Sequence, residues 1–546
     1  MLYIKTCLLG FCFFISFSPT IAQFYPSLNR IDALHYTFEI EVNDKNNQIT
    51  GVSSLLFRVK KHALDTLILD FISKDEKGTG MQVKEVKLNE NILVFSQQTE
   101  HLSIFLSDPL DKDYIGTLHV KYQGIPADGL IISENEYGDR TFFGDNWPNR
   151  ARYWLPVIDH PSDKATSEFK IIAPEHYKVI ANGILREESF LDMSFGEKKK
   201  LTHWVSSQPI PTKAMVFGAT HFAVLYEKPV FNIPVQHWVY ADNRENSFGD
   251  FEPTANILHY FSKYIGDYPY EKLANVESKT KYGGMENASN IFYNELVVDG
   301  NHTIEGLIAH EIAHQWFGNA VSEKSWEHIW LSEGFSTYLS HMYIEHTYGE
   351  DSLRSLLKND KNRIFSYYRK APSSAVINTT ETNLFLFLNA NSYQKGSWFL
   401  HMLRQKLGDE IFQKGIRSFY KLKCHSSADT EDFKQIMEKV SEQSLTQFFD
   451  QWLYKAGHPV IEGTWKFSGI SKKLKIDLEQ IQKNGELYYL PLEVGVYYAD
   501  EEKPEILTFH LKQKTSSFSF KLKSQPKAIV LDPNVKVLMD THFVNK

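Results

Sequence analysis

His310 and His314 stand four residues apart in the run 303–319, TIEGLIAHEIAHQWFGN, with Glu311 directly after the first. Ile304, Leu307, Ile308 and Ile312 of the same run recur at helical spacing, so it reads as a helix with one buried stripe. On a helix, residues i and i+4 leave the same face one turn apart, which brings both imidazoles to one place. That is the geometry of two zinc ligands, and Glu311 beside them is placed to take a proton from a metal-held water. By itself the pattern is a modest signal, because two histidines beside a core would look the same. A second helical run, WEHIWLSEG over 326–334, adds Glu333, 19 residues after His314. Two histidines, one glutamate and a position left open for water define a catalytic zinc rather than a structural one. The expected cofactor is one zinc ion, held by His310, His314 and Glu333, with Glu311 as general base. Trp316, Trp326 and Trp330 are assigned to packing.

The elements that must position this site follow from periodicity. From Gln23 to about Tyr226 apolar residues alternate with period two, as in Tyr36, Phe38, Ile40 and Val42, or Leu118, Val120 and Tyr122. This predicts an antiparallel β domain over 23–226. From about Phe251 to Tyr454 the period is helical with few interruptions, and Gly318-Asn319 and Tyr348-Gly349 read as helix stops. Alternation returns after Gly457-His458-Pro459, in Leu474, Ile476 and Leu478 and in Leu492, Val494 and Val496. The expected fold class is multidomain α+β: an N-terminal antiparallel β domain, an α-rich catalytic domain over 227–455, and a C-terminal β-sandwich over 456–546. The sequence contains no internal repeat and no low-complexity linker.

With 546 residues, 42% of them hydrophobic, the chain has material for several cores. Its net charge is −8, and Lys198-Lys199-Lys200, the only basic run, reads as a solvated hairpin turn, so nucleic acid is discounted as a partner. Residues 1–22 carry one charge, Lys5, then an apolar stretch over 7–17 and small residues at Thr20 and Ala22. Eleven apolar residues are too few to span a bilayer, so a cleaved signal peptide is expected, with export to the periplasm or the exterior and no transmembrane segment in the mature chain. Cleavage leaves Cys424 as the one cysteine, which precludes an intramolecular disulfide. Its neighbour His425 does not make it a nucleophile, because adjacency in sequence does not set two side chains face to face.

HEIAHQWFGN followed by WLSEGF resembles the aminopeptidase N family of zinc peptidases, whose third ligand is a glutamate on the following helix. Gly283-Gly284-Met285-Glu286-Asn287 resembles that family's exopeptidase motif, and Tyr393-Gln394-Lys395-Gly396 resembles the segment bearing its catalytic tyrosine. Residues 151–156 (ARYWLP) and 159–161 (DHP) resemble a signature of its N-terminal domain, and residues 452–459 the start of its third domain. The resemblance spans essentially the whole mature chain. It implies a thermolysin-like catalytic domain, peptide substrates with a free N-terminus bound along Gly283 to Asn287, a carboxylate at Glu286 for the substrate amine, and an oxyanion donor at Tyr393. A phenol suits that last task because it donates a hydrogen bond while staying neutral.

Three positions depart from the pattern. Only 91 residues follow Lys455, enough for a β-sandwich and not for the family's long helical domain. Ser332 stands where asparagine is usual. Asn146-Trp147-Pro148-Asn149 occupies the stretch where a glutamine or glutamate usually helps bind the amine, leaving Glu286, with Asp145 or another acid, to carry that load. A thermolysin-type endopeptidase shares the ligands but has no use for Glu286, and an inactive binding scaffold commonly lacks a ligand or the base, whereas all four positions are filled here.

Overall fold

Every second side chain of strand Ile31–Glu41 that points inward past its one irregularity, Tyr36, Phe38 and Ile40, is fully buried, and Ile49–Val59 repeats the pattern beside it. The computed structural model describes residues 25–192 and 198–546. The expected signal peptide, 1–22, lies outside the described residues. Ile31–Glu41 and Ile49–Val59 sit in an eight-stranded sheet ordered 184–192, 198–211, 164–174, 31–41, 49–59, 115–125, 80–88 and 91–92. Its pairings are antiparallel with one exception: Ile31–Glu41 runs parallel to Lys164–Pro174, a pairing made by chain far apart in sequence. A four-stranded and a three-stranded sheet complete this β-rich region. The Lys198-Lys199-Lys200 run opens the strand Lys198–Pro211 rather than decorating a turn. Its amines pair with Glu175, Glu41 and Glu188 at 3.5, 2.5 and 3.3 Å; Lys198 stays exposed, whereas Lys200 is buried.

A five-stranded sheet follows, ordered 222–226, 235–240, 273–278, 290–294 and 284–285, and its first pairing straddles the expected division at Tyr226. Helices dominate from Phe251 to Tyr454, but the strands Leu273–Ser278 and Asn290–Asn294 interrupt the nearly continuous helical stretch expected there. All six residues of Leu273–Ser278 are buried, the polar Asn275 and Glu277 included, so both faces of this strand lie inside the fold. The edge strand of that sheet is Gly284–Met285, paired on one side only, with Phe292 and Tyr293.

Beside this edge run two helices. Glu305–His314 buries Ile308, Ala309, Ile312 and Ala313, and Gly318, at φ +124°, breaks the path after it as expected. Trp330–Tyr348 is buried from Trp330 through Tyr343 and ends at Gly349, φ +89°. After Val460 the chain forms a four-stranded and a three-stranded sheet whose side chains meet at Phe509 and Phe518, ring centroids 4.2 Å apart. Among the described residues no helix is long and apolar enough to cross a membrane.

The β-rich region grips the loops around the two helices. Lys164 Nζ donates to the carbonyls of Asn319 and Ala320, each at 2.8 Å. Lys213 forms a buried ion pair with Glu323 at 2.7 Å. Asn182 Nδ2 donates to Ala288 O at 2.6 Å, and Gly183 N to Ser289 Oγ at 2.9 Å.

Candidate metal and substrate site

The helix Glu305–His314 presents His310 and His314 together, and Glu333 reaches them from the first turn of Trp330–Tyr348. His310 Nε2 and His314 Nε2 are 3.0 Å apart, and Glu333 Oε2 lies 3.5 and 3.3 Å from them. Ligands about 2.0–2.1 Å from a tetrahedral zinc stand roughly 3.3 Å from one another, so the three atoms have the spacing such an ion requires. Glu333 Oε2 is buried without a hydrogen-bond donor, a cost that a cation removes. The electrostatics agree. Burial would raise the Glu333 carboxyl, but His314 and His310 more than offset this and hold it well below the usual range. Burial would lower His314, yet Glu333 and Glu286 push it up to about 9. The pocket holds an excess of negative charge around one cationic position, and its residues fit a zinc ion.

The outer face of His314 is fixed. His314 Nδ1 is 3.1 Å from Phe317 O and 3.1 Å from Ser332 Oγ, which leaves Nε2 to the metal. A Cβ on Gly318 would stand 2.4 Å from Ser332 Oγ and 2.8 Å from His314 Nδ1, so only glycine leaves room for that contact. Glu311 is buried with Oε2 unpartnered. Burial raises its carboxyl well above the ordinary value, with Glu286 and Glu333 adding to the rise and His314 opposing it. Gly284 packs on it: a Cβ there would lie 2.4 Å from Glu311 Oε1. A Cβ on Gly283 would meet only Leu307 Cδ2, at an ordinary contact distance of 3.8 Å.

Glu286 is held by its backbone. Its carbonyl accepts from Gln315 Nε2 at 3.0 Å and Asn319 Nδ2 at 2.5 Å, which links it to the turn that follows His314. Its Oε1 is buried and unpartnered. Asn287 is fully buried with neither side-chain atom bonded, which also removes it as a glycosylation acceptor. Tyr393 lies in a π-helical turn, Asn391–Lys395, its ring nearly parallel to that of His310 with centroids 6.0 Å apart. Gly334 and Gly396 meet back to back, where a Cβ on Gly334 would come 2.9 Å from Gly396 Cα, and this lets the turn approach Glu333. Burial raises the Tyr393 phenol well above its usual value, so it stays a neutral donor. Two residues on, the buried Lys395 donates to Gly457 O at 3.0 Å and Lys455 O at 3.4 Å.

A narrow cleft of about 40 Å³ joins these groups, lined by Gly284, Met285, Glu286, His310, Glu311, His314, Glu333 and Tyr393, together with Trp147, Tyr282 and Leu388. The last three were not expected from sequence. Asp145, considered as a second amine-binding acid, is already bound: Oδ1 accepts from Arg150 at 2.7 Å and Oδ2 from the Lys281 amide at 3.2 Å. Trp326, assigned to packing, is 95% buried and meets Trp147 edge to face at 5.9 Å.

A buried two-histidine, one-glutamate cluster on paired helices, beside a glutamate with a free oxygen and the edge of a sheet, is the architecture of a single-metal peptidase. The peptidase M1 N-terminal domain model matches residues 32–213 and the peptidase family M1 domain model matches 250–452, and the chain belongs to peptidase family M1. It is 24% identical over 478 residues to glutamyl aminopeptidase of Rattus norvegicus, covering 82% of this chain and 49% of that one. It is 25% identical over 462 residues to aminopeptidase 2 of Candida albicans, covering 79% and 48%. With a probable aminopeptidase 2 of Sulfurisphaera tokodaii it shares 28% identity over 424 residues, 72% and 52%. The chain thus spans about half the length of these relatives. A mutant M1 zinc metallopeptidase from Deinococcus radiodurans has a similar fold, with a TM-score of 0.66 at 23% identity over 78% of this chain and 94% of that one.

Proposed function

We propose that the protein is an exported zinc aminopeptidase that removes residues one at a time from the free N-terminus of peptides, with a thermolysin-like catalytic domain between divisions near Tyr226 and Lys455 and a C-terminal β-sandwich. The observation that carries this reading is Glu286: a buried carboxylate with an unpartnered oxygen, next to the metal cluster and at the end of an edge strand. An extended peptide can pair with Gly284–Met285, and its terminal ammonium then meets Glu286, which fixes how far the first peptide bond lies from the metal ligands. An endopeptidase would have no need of such a group.

His310, His314 and Glu333 hold one zinc ion. When bound, zinc supplies the Lewis acidity that lets a water lose a proton near neutral pH. Glu311 takes that proton and hands it to the leaving nitrogen, a task matched by a carboxyl raised through burial. Tyr393 donates its hydroxyl to the oxyanion that develops on the scissile carbonyl. Ser332 and Gly318 keep His314 oriented, and Gly284 keeps the peptide backbone close to Glu311.

The test is a set of aminoacyl fluorogenic amides with and without an N-acetyl block. Wild type cleaves the free-amine forms and not the blocked ones. Glu286→Ala raises the Michaelis constant of the free forms by about 10-fold or more, the scale of one charged hydrogen bond of roughly 1.5–3 kcal/mol, and narrows their advantage over the blocked forms. Equal cleavage of acetylated and free substrates by wild type refutes the aminopeptidase reading.

A further inference from the structure

The anchor of Glu286 is its backbone carbonyl, which accepts from Gln315 Nε2 at 3.0 Å and from Asn319 Nδ2 at 2.5 Å. Gln315 is itself tied within the helical region, its Oε1 accepting from Ser289 N at 2.8 Å. Asn319 is tied elsewhere. It opens the segment 319–323, every residue of which is buried, and the contacts that grip this segment come from the β-rich region.

Lys164 is the first residue of the strand Lys164–Pro174, which lies inside the eight-stranded sheet between Lys198–Pro211 and Ile31–Glu41. The register sets Lys164 opposite Pro211, so Lys213, two residues further on, leaves the same end of the sheet. Lys164 Nζ donates to the carbonyls of Asn319 and Ala320 at 2.8 Å each, Ser322 Oγ donates to Pro161 O at 2.8 Å, and Lys213 pairs with Glu323 at 2.7 Å. The segment is thus held at its start, middle and end. Of these three contacts, only that of Lys164 falls on the residue whose side chain reaches Glu286. A strand paired on both sides does not shift alone, which makes it a rigid mount for a site it does not enter.

We propose that Lys164 is a positioning residue for substrate recognition: acting through Asn319, it sets where the carboxylate of Glu286 stands. The inference rests on reading Glu286 as the amine-binding group. Donors on two successive carbonyls fix the peptide plane that follows Asn319, and with it the start of the Asn319 side chain and the carbonyl of Glu286 that this side chain binds. Without the ammonium the plane can turn, and the hydrogen bond from a substrate amine to Glu286 loses its alignment. His310, His314 and Glu333 stand on two helices that Lys164 does not touch, so the metal ligands keep their places. The preference for a free N-terminus is then built jointly by the β-rich and the helical regions.

The test uses the zinc-loaded full chain as wild type, Lys164→Met, Asn319→Ala and the double variant. Methionine keeps most of the stem and removes the donor. Three quantities are read: KM and kcat on a leucyl fluorogenic amide, zinc affinity by chelator competition, and inhibition by two metal-directed probes. The probes are leucine hydroxamate and 4-methylpentanohydroxamate, which carry the same side chain and differ in the amine. Lys164→Met raises KM and the inhibition constant of leucine hydroxamate about fivefold or more, and leaves kcat, zinc affinity and 4-methylpentanohydroxamate within about twofold of wild type. Asn319→Ala behaves alike, and the double variant is no worse than the more affected single variant by more than about twofold, because the two residues act in one chain. Equal weakening of both hydroxamates, an unchanged KM, or a double variant equal to the product of the two singles overturns the proposal. If Lys164→Met does not fold, Asn319→Ala decides, and an unchanged leucine hydroxamate constant there overturns it. Wild type binding both hydroxamates equally well refutes the amine-binding reading of Glu286 itself, a result distinct from any seen only in the variants.

Discussion

The hydroxyl of Ser332 lies 3.1 Å from Nδ1 of His314, one residue before the third ligand in sequence and across a gap that only Gly318 leaves open. The contact sets the imidazole tautomer and the direction of Nε2. Ser332→Ala is expected to weaken zinc binding by roughly 10-fold, with the fold intact. Gly318→Ala is expected to weaken it further, since its Cβ would collide with both partners and its φ of +124° suits glycine. Competitive chelator titration reads both, and unchanged zinc affinity in Gly318→Ala would show that the loop moves freely.

Glu311→Gln should bind zinc like wild type and lose hydrolysis, because an amide cannot accept the proton. Gly284→Ala should do the same in milder form. Its methyl would stand 2.4 Å from Glu311 Oε1 and push the base out of place. A fall of about 10-fold or more in kcat at full zinc occupancy is expected. A rate equal to wild type would remove the close approach from the mechanism.

Tyr393→Phe should lose on the order of 100-fold in kcat while zinc content and thermal midpoint stay at wild-type values, the scale of one oxyanion donor. Turnover within a few-fold of wild type would reduce Tyr393 to a packing residue against His310.

His160 links stability to pH. Burial pushes it down to about 4, partly offset by Asp70, and its Nδ1 accepts from the Ser162 amide at 3.2 Å. Between an unfolded value of 6.5 and about 4 the unfolded chain binds the extra proton, so stability is full above pH 6.5 and falls as pH drops through this window. Denaturant unfolding of wild type and His160→Asn from pH 7 to 4 should give a shallower loss in the variant. Parallel curves would show that His160 does not titrate on unfolding.

The clustering of His310, His314 and Glu333 was legible because its signal is local: a four-residue helical spacing and one carboxylate on the next helix. The alternation of Tyr36, Phe38 and Ile40 likewise told of a half-buried strand. Leu273–Ser278 did not, because its polar residues Asn275 and Glu277 are buried with the rest and a run of six is too short for periodicity to tell strand from helix. Trp147 was visible only as a departure from a pattern, since its neighbours Tyr282, Trp326 and Phe385 come from three other segments. Lys164 and Lys213 reach partners 155 and 110 residues away, and no spacing rule covers such distances. Their sequence neighbourhoods look like ordinary strand ends.

Lys395 shares its π-helical turn with Tyr393, and its acceptors are the hydroxyl of Tyr368 and the carbonyls of Lys455 and Gly457 on the way into the last two sheets. Burial lowers its amine to about 7, so those acceptors are what make a cation tolerable there. The backbone path by which the C-terminal sheets begin is therefore fixed by a side chain of the preceding helical region. An insertion or a proteolytic nick between residues 455 and 457 would leave a buried ammonium, two residues from Tyr393, with the Tyr368 hydroxyl as its one remaining acceptor. The backbone that opens the last two sheets is thereby tied to the turn that carries Tyr393.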